Sequence, residues 1–142
     1  MGGDRPIAAE LPDDVQALLR AHVESYEHLA VLLLAYRQST RTWSVADLSS
    51  TLSIPEQLAE AAVTTLRNAG LLRAECDALP PSYRYAANSA AHATIARLAS
   101  EYAENPVQVV RLMSANAIER VRMSALHAFA DAFVLKKDKD RG

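Results

Sequence analysis

Residues 43–72, WSVADLSSTLSIPEQLAEAAVTTLRNAGLL, constrain the fold of this chain more than any other part of it. Val45, Leu48 and Leu52 recur at spacings of three and four and line one face of a short helix. Ser44 stands before it and Asp47 three residues on, a capping-box variant in which each side chain satisfies a backbone N–H. Ser53-Ile54-Pro55 then makes a tight turn, because proline opens a helix readily but cannot continue one. A second helix is predicted over residues 55–69, with Leu58, Ala59, Ala62, Val63 and Leu66 facing inward. Gly70 follows as the residue that leaves the helix in a left-handed conformation.

The flanks extend this pattern. Asp13 or Asp14 is expected to cap a helix carrying Val15, Leu18, Leu19 and Val23 on one face. Ser25 opens a second helix over residues 25–36 that is apolar round most of its circumference, as a centrally buried helix must be. Thr42-Trp43-Ser44 is β-favouring. Residues 71–75 read as a strand, residues 76–81 as a turn, and residues 82–86, with Tyr83 and Tyr85, as a half-buried partner strand. A helix over residues 90–103 carries Ile95, Leu98, Ala99 and Tyr102 on one face and ends at Asn105-Pro106. A short helix follows over residues 107–113, then a break at Ser114-Ala115-Asn116. A last helix covers residues 124–135, with Leu126, Phe129, Ala130 and Phe133 in a stripe that serves either as core or as a dimer seam. Residues 1–12, with two Gly and two Pro, are expected to form a flexible arm, and the closing KKDKDRG a frayed charged tail. This divides the chain into an arm (1–12), a unit over residues 13–88 and a C-terminal helical segment over residues 89–142.

Trp43-Ser44, Asp47-Leu48, Leu52-Ser53-Ile54-Pro55, and Val63-Thr64-Thr65-Leu66 leading into Ala69-Gly70-Leu71-Leu72, resemble the winged helix-turn-helix superfamily of prokaryotic regulators, broadly its MarR-like and PadR-like members. The resemblance covers about the middle third of the chain and implies a mainly α fold with a short β-hairpin wing, here followed by additional C-terminal helices. It also implies a DNA-binding transcriptional regulator, dimeric through its C-terminal helices. Carried onto this sequence, double-stranded DNA would meet Gln57, Thr64, Thr65 and Arg67 on the second motif helix, with Arg73 and Arg84 on the wing.

Charge opens a second reading. The chain carries 15 basic and 17 acidic residues, a formal net charge of −2. Residues 42–88 hold three Arg (Arg67, Arg73, Arg84) against five acids, and residues 89–142 hold eight Lys and Arg against six. The basic excess thus lies away from the motif, while Glu56 and Glu60 sit on the helix that would enter a phosphate-lined groove. A winged helix whose acidic motif helix docks onto a protein partner stands beside the DNA-binding reading. Glu56 has a further role, since a carboxylate near a helix N-terminus complements the macrodipole.

No enzyme is expected, and no cofactor. His22, His28, His92 and His127 are scattered without ligand spacing, which predicts no metal site, and His28 and His127 read as surface or boundary residues. A single cysteine, Cys76, excludes an intramolecular disulfide, and its neighbours Glu75 and Asp77 disfavour a reactive thiolate. The longest apolar run, residues 29–36, is too short to span a bilayer, and the N-terminus lacks a signal-peptide pattern, so the expectation is a cytoplasmic protein without a membrane partner.

Overall fold

A computed structural model describes residues 11–76 and 79–141, with side chains described for residues 11–75 and 79–134. The element order is α1 (Asp13–His22), α2 (Tyr26–Arg37), β1 (Thr42–Trp43), α3 (Val45–Leu52), α4 (Glu56–Asn68), β2 (Leu72–Cys76), β3 (Ser82–Tyr85), α5 (Ser89–Glu104) and α6 (Pro106–Arg141). The three strands form one antiparallel sheet in the order β1-β3-β2. With α2, α3 and α4 packed beneath it, this is the winged-helix fold.

Local chemistry accounts for most boundaries. At α3 the capping box is complete, with Asp47 N–H donating to Ser44 Oγ at 3.0 Å and Ser44 N–H to Asp47 Oδ2 at 3.2 Å. Ser25 Oγ accepts from His28 N–H at 3.3 Å at the start of α2, and Asn88 Oδ1 from Ala91 N–H at 2.8 Å at the start of α5. α1 departs from expectation, because Pro12 holds the N-cap position and both Asp13 and Asp14 lie in the first helical turn. Asp14 instead reaches across to α5, accepting from Thr94 Oγ1 at 3.0 Å and from Arg97 Nε at 2.7 Å. Leu11, at the end of the predicted arm, is packed into the core; residues 1–10 of that arm lie outside the described residues.

The core is one contiguous cluster in which Trp43, Leu29, Leu32, Leu48, Leu66, Ile95 and Leu98 are almost fully buried. Trp43 joins the sheet to this core, since it is almost fully buried and pairs with Tyr83 in the β1–β3 register. Two expectations fail at the surface of this core. Leu58 is 42% exposed, because it is turned by about 100° from Ala59 and so leaves the stripe of Ala59, Ala62, Val63 and Leu66. His28 is buried, not a surface residue, with Nδ1 2.6 Å from Ser25 Oγ, and desolvation pushes its pKa down against the opposing fields of Glu24 and Glu27.

The C-terminal segment differs most. The sequence suggests two helices with a break at Ser114-Ala115-Asn116, yet α6 is one helix of 36 residues. Ser and Asn cost a helix only about 0.5 kcal/mol each relative to Ala, and neither Gly nor Pro interrupts residues 107–141. Asn116 is moreover buried where α6 lies on the rest of the fold, so packing holds the chain helical there. The charged tail expected to fray continues the helix to Arg141. α1 packs on both α5 and α6, and Arg120 Nη2 donates to Glu24 O at 3.0 Å, tying α6 to the α1–α2 loop. Among the described residues no helix is long and apolar enough to cross a membrane.

Candidate nucleic-acid interface

α4 is set in place by the turn before it and the glycine after it. Ser53 adopts φ 55°, a left-handed conformation, and its N–H donates to Ser49 O. Ser49 Oγ donates to Ile54 O at 2.6 Å, closing the turn from the other side. Pro55 then aligns the first turn of α4, and Gly70 at φ +79° lets the chain reverse into β2.

Burial of Ala59, Ala62, Val63 and Leu66 fixes which side of α4 faces outward. At about 100° per residue, Gln57, Ala61, Thr64 and Asn68 stand opposite that stripe, and all four are exposed. This ridge carries amide, methyl and hydroxyl groups and no charge. Glu56 and Glu60 stand on one flank of the ridge together with Arg67, also exposed. Thr65 lies on the other flank, half-buried, beside Leu58. Of the motif-helix residues singled out from the sequence, Gln57 and Thr64 therefore share the ridge, and Thr65 and Arg67 straddle it. Among the described residues Arg67 makes no ion pair.

The wing residues are more constrained than the sequence indicates. Arg73 and Arg84 are cross-strand partners in the β2–β3 register, two like charges placed face to face. Glu75 relieves the repulsion, with Oε2 at 3.3 Å from Arg73 Nε and Oε1 at 3.3 Å from Arg84 Nη1. Arg84 Nη2 also donates to Thr40 O at 2.9 Å, anchoring β3 to the α2–β1 loop, while its buried Nε lacks a partner. Arg73 is 61% exposed and Arg84 34%, so Arg73 is the freer cation and Arg84 is half structural. Arg41 adds a cation that sequence reasoning left outside the site, its guanidinium 3.8 Å above the Trp43 ring centroid. Leu79, at the wing tip, is 91% exposed.

Behind the wing, Tyr85 joins β3 to the helices. Its ring meets Tyr36 of α2 and His92 of α5 edge to face, and its hydroxyl lies 2.8 Å from His92 Nδ1. Burial, reinforced by Tyr36, pushes the phenol up to about 12, so it stays protonated beside the imidazole. The alternation of residues 82–86 identifies a half-buried strand but carries no signal for a partner seven residues beyond Tyr85. Among the described residues no group of His, Cys, Asp and Glu is arranged to hold a metal ion.

No family model and no curated protein sequence matches this chain. Two solved structures resemble it. Reduced HlyU from Vibrio cholerae N16961 is 20% identical, with a TM-score of 0.47, over 65% of this chain and 88% of that one. The adhesin competence repressor AdcR from Streptococcus pyogenes is 17% identical, also with a TM-score of 0.47, over 85% of this chain and 90% of that one. At that distance what the chain does has to be read from its own side chains.

Proposed function

We infer that this protein is a DNA-binding transcriptional regulator, a binding protein and not an enzyme, acting on cytoplasmic DNA as a homodimer paired through its C-terminal helices. The observation that carries the reading is the outward ridge of α4, where Gln57, Ala61, Thr64 and Asn68 are exposed and uncharged. Gln and Asn amides pair with the edge of adenine, Thr with several base edges, and an Ala methyl with the thymine methyl. The two glutamates that favoured a protein-docking role lie on the flank of the ridge, so the adaptor reading loses its main support. Glu56 sits in the first turn of α4, where it complements the helix dipole.

In this reading α4 enters the major groove by its ridge, Arg67 and Arg73 neutralise phosphates, and Arg84 does so in part while holding the wing to Thr40. Thr65 contributes from the edge of the contact. Each protomer supplies few cations, so pairing two of them is what gives useful affinity.

Retention of fragmented genomic DNA as a function of salt tests the reading. Wild-type protein should retain fragments at low salt and release them steeply as salt rises. Gln57→Ala with Thr64→Ala should abolish the preference among fragments while leaving the salt slope in place, because those side chains read bases and not phosphates. Absence of retention even at the lowest ionic strength refutes the reading.

A further inference from the structure

We propose that α4 selects a run of about three A·T base pairs, with Gln57 on an adenine and Ala61 and Thr64 on thymine methyl groups. The proposal rests on the DNA-binding reading above and names the bases that the ridge meets.

Guanine is the base this surface is least equipped to read. Its major-groove edge presents two acceptors, O6 and N7, and the side chains that match them are arginine and lysine. The sole cation of α4 is Arg67, exposed but outside the ridge. At about 100° per residue it stands about 90° round from the centre of the ridge, towards the wall of the groove and its phosphates. Glu60, whose carboxylate would suit a cytosine amino group, lies about 70° off the same centre and so also faces the wall and not the floor.

The ridge itself matches A·T pairs. Gln57 stands in the first turn of α4, and the N-terminal residues of a recognition helix are those that reach base edges. Its amide both donates and accepts, as adenine N7 and N6 require. Ala61 and Thr64 follow, both exposed. With only a methyl at residue 61, α4 closes on the groove floor until that methyl and Thr64 Cγ2 touch what projects from it. What projects from a T·A pair is the C5 methyl of thymine. A G·C pair at the same depth sets O6, N7 and the cytosine amino group against a methyl, leaving desolvated polar groups without partners.

Helical rise sets the length of the run. Gln57 and Thr64 are seven residues apart, which is about 10 Å along the axis, or three base-pair steps of about 3.4 Å. Asn68 lies about 6 Å further on, where a straight helix leaves a curved groove. Its amide therefore meets the sugar-phosphate backbone and not a base.

Enrichment of a fully randomised duplex library on the full chain tests the proposal. Recovered sites should share the A·T run, and Gln57→Arg should change the preference at one of its positions from adenine to guanine. Replacing thymine in the run by deoxyuridine removes the C5 methyl and keeps every hydrogen-bonding group. It should weaken binding about fourfold for each methyl contacted. Inosine·cytosine keeps the minor groove of an A·T pair and installs the major-groove edge of a G·C pair. Substituted into the run, it should weaken binding roughly tenfold per pair. Residue 57 is exposed, so thermal denaturation of the Gln57→Arg variant should match wild type. A recovered G·C run, or deoxyuridine bound as tightly as thymine, overturns the proposal and leaves DNA binding in place. Undiminished affinity for the inosine duplex also overturns it, because the preference then comes from minor-groove shape. Retention of duplex without any enrichment overturns it as well, whereas absence of retention at low salt removes the DNA-binding reading itself.

Discussion

Glu75 restrains the cations of the wing, and replacing it with Gln should strengthen DNA binding. The carboxylate lies 3.3 Å from both Arg73 and Arg84, so the three side chains together present a single net positive charge. Glu75→Gln keeps the shape and removes the countercharge, leaving two net charges per wing. Arg84 remains held by Thr40 O, so Arg73, 61% exposed, is the side chain that gains freedom to meet phosphate. Each neutralised phosphate adds about 0.9 to the slope of log affinity against log salt, so a dimer gains about 1.8. Between about 50 and 200 mM salt the variant should lose roughly tenfold more affinity than wild type, starting from tighter binding at the low end. Arg73→Ala should flatten the slope by a similar amount, and Arg84→Ala by less, since that guanidinium is already half committed to the fold. Fluorescence anisotropy with one duplex across a salt series measures all three. The loss of an exposed ion pair costs under about 1 kcal/mol of stability, so thermal denaturation separates folding from binding. If Glu75→Gln binds with the wild-type slope while Arg73→Ala flattens it, the carboxylate does not restrain the arginine and the reasoning fails. If neither changes the slope, the wing does not touch phosphate.

Asp14 links α1 to α5 through Arg97 and Thr94, and its pKa is lowered chiefly by the hydrogen bond from Arg97. A carboxylate depressed in the folded state stabilises above its unfolded value near 4 and loses that contribution as pH falls through the folded value. Wild type should therefore exceed Asp14→Asn in Tm by a constant margin from neutral pH to about 5, with the gap closing below about 4; a gap unchanged down to pH 2 contradicts the assignment. At Gly70 an added Cβ meets nothing within 4 Å, yet φ is +79°. Gly70→Ala should cost about 1–2 kcal/mol through the backbone alone, read by denaturant titration, and Gly70→Asn less, because Asn tolerates that region.

Local features of the fold were legible because they are encoded locally. Ser44 and Asp47 form their capping box within four residues, Pro55 and Gly70 act through their own φ, and the Val15, Leu18, Leu19 stripe needs only helical period. The same reasoning erred wherever a neighbour distant in sequence decides. Leu58 has the apolarity of a core residue but sits one step round the helix from the buried stripe. His28 reads as a boundary residue until the assembled fold buries it. Ser114 and Asn116 resemble a helix break, and only burial of Asn116 against the body shows why the helix runs through.

At the candidate interface the division is the same. Gln57, Thr64, Thr65, Arg67, Arg73 and Arg84 could be named from the motif, since a winged helix presents those positions. That Glu75 would bind both wing arginines required the β2–β3 register, which sets Arg73 against Arg84 across the hairpin. That the outward ridge of α4 carries no charge was equally out of reach of composition, because net charge is summed over residues while a groove meets only one face.

The sequence by itself determined the helices up to α5, the turn, the glycine and hence the winged-helix scaffold, because capping, proline, glycine and apolar period are properties of neighbouring residues. Tertiary structure decided which face of α4 is exposed, which wing cation is the more exposed, and that the distal half of α6 carries exposed apolar side chains. Those are questions of what lies opposite what, and side chains far apart in the chain answer them only once they are packed.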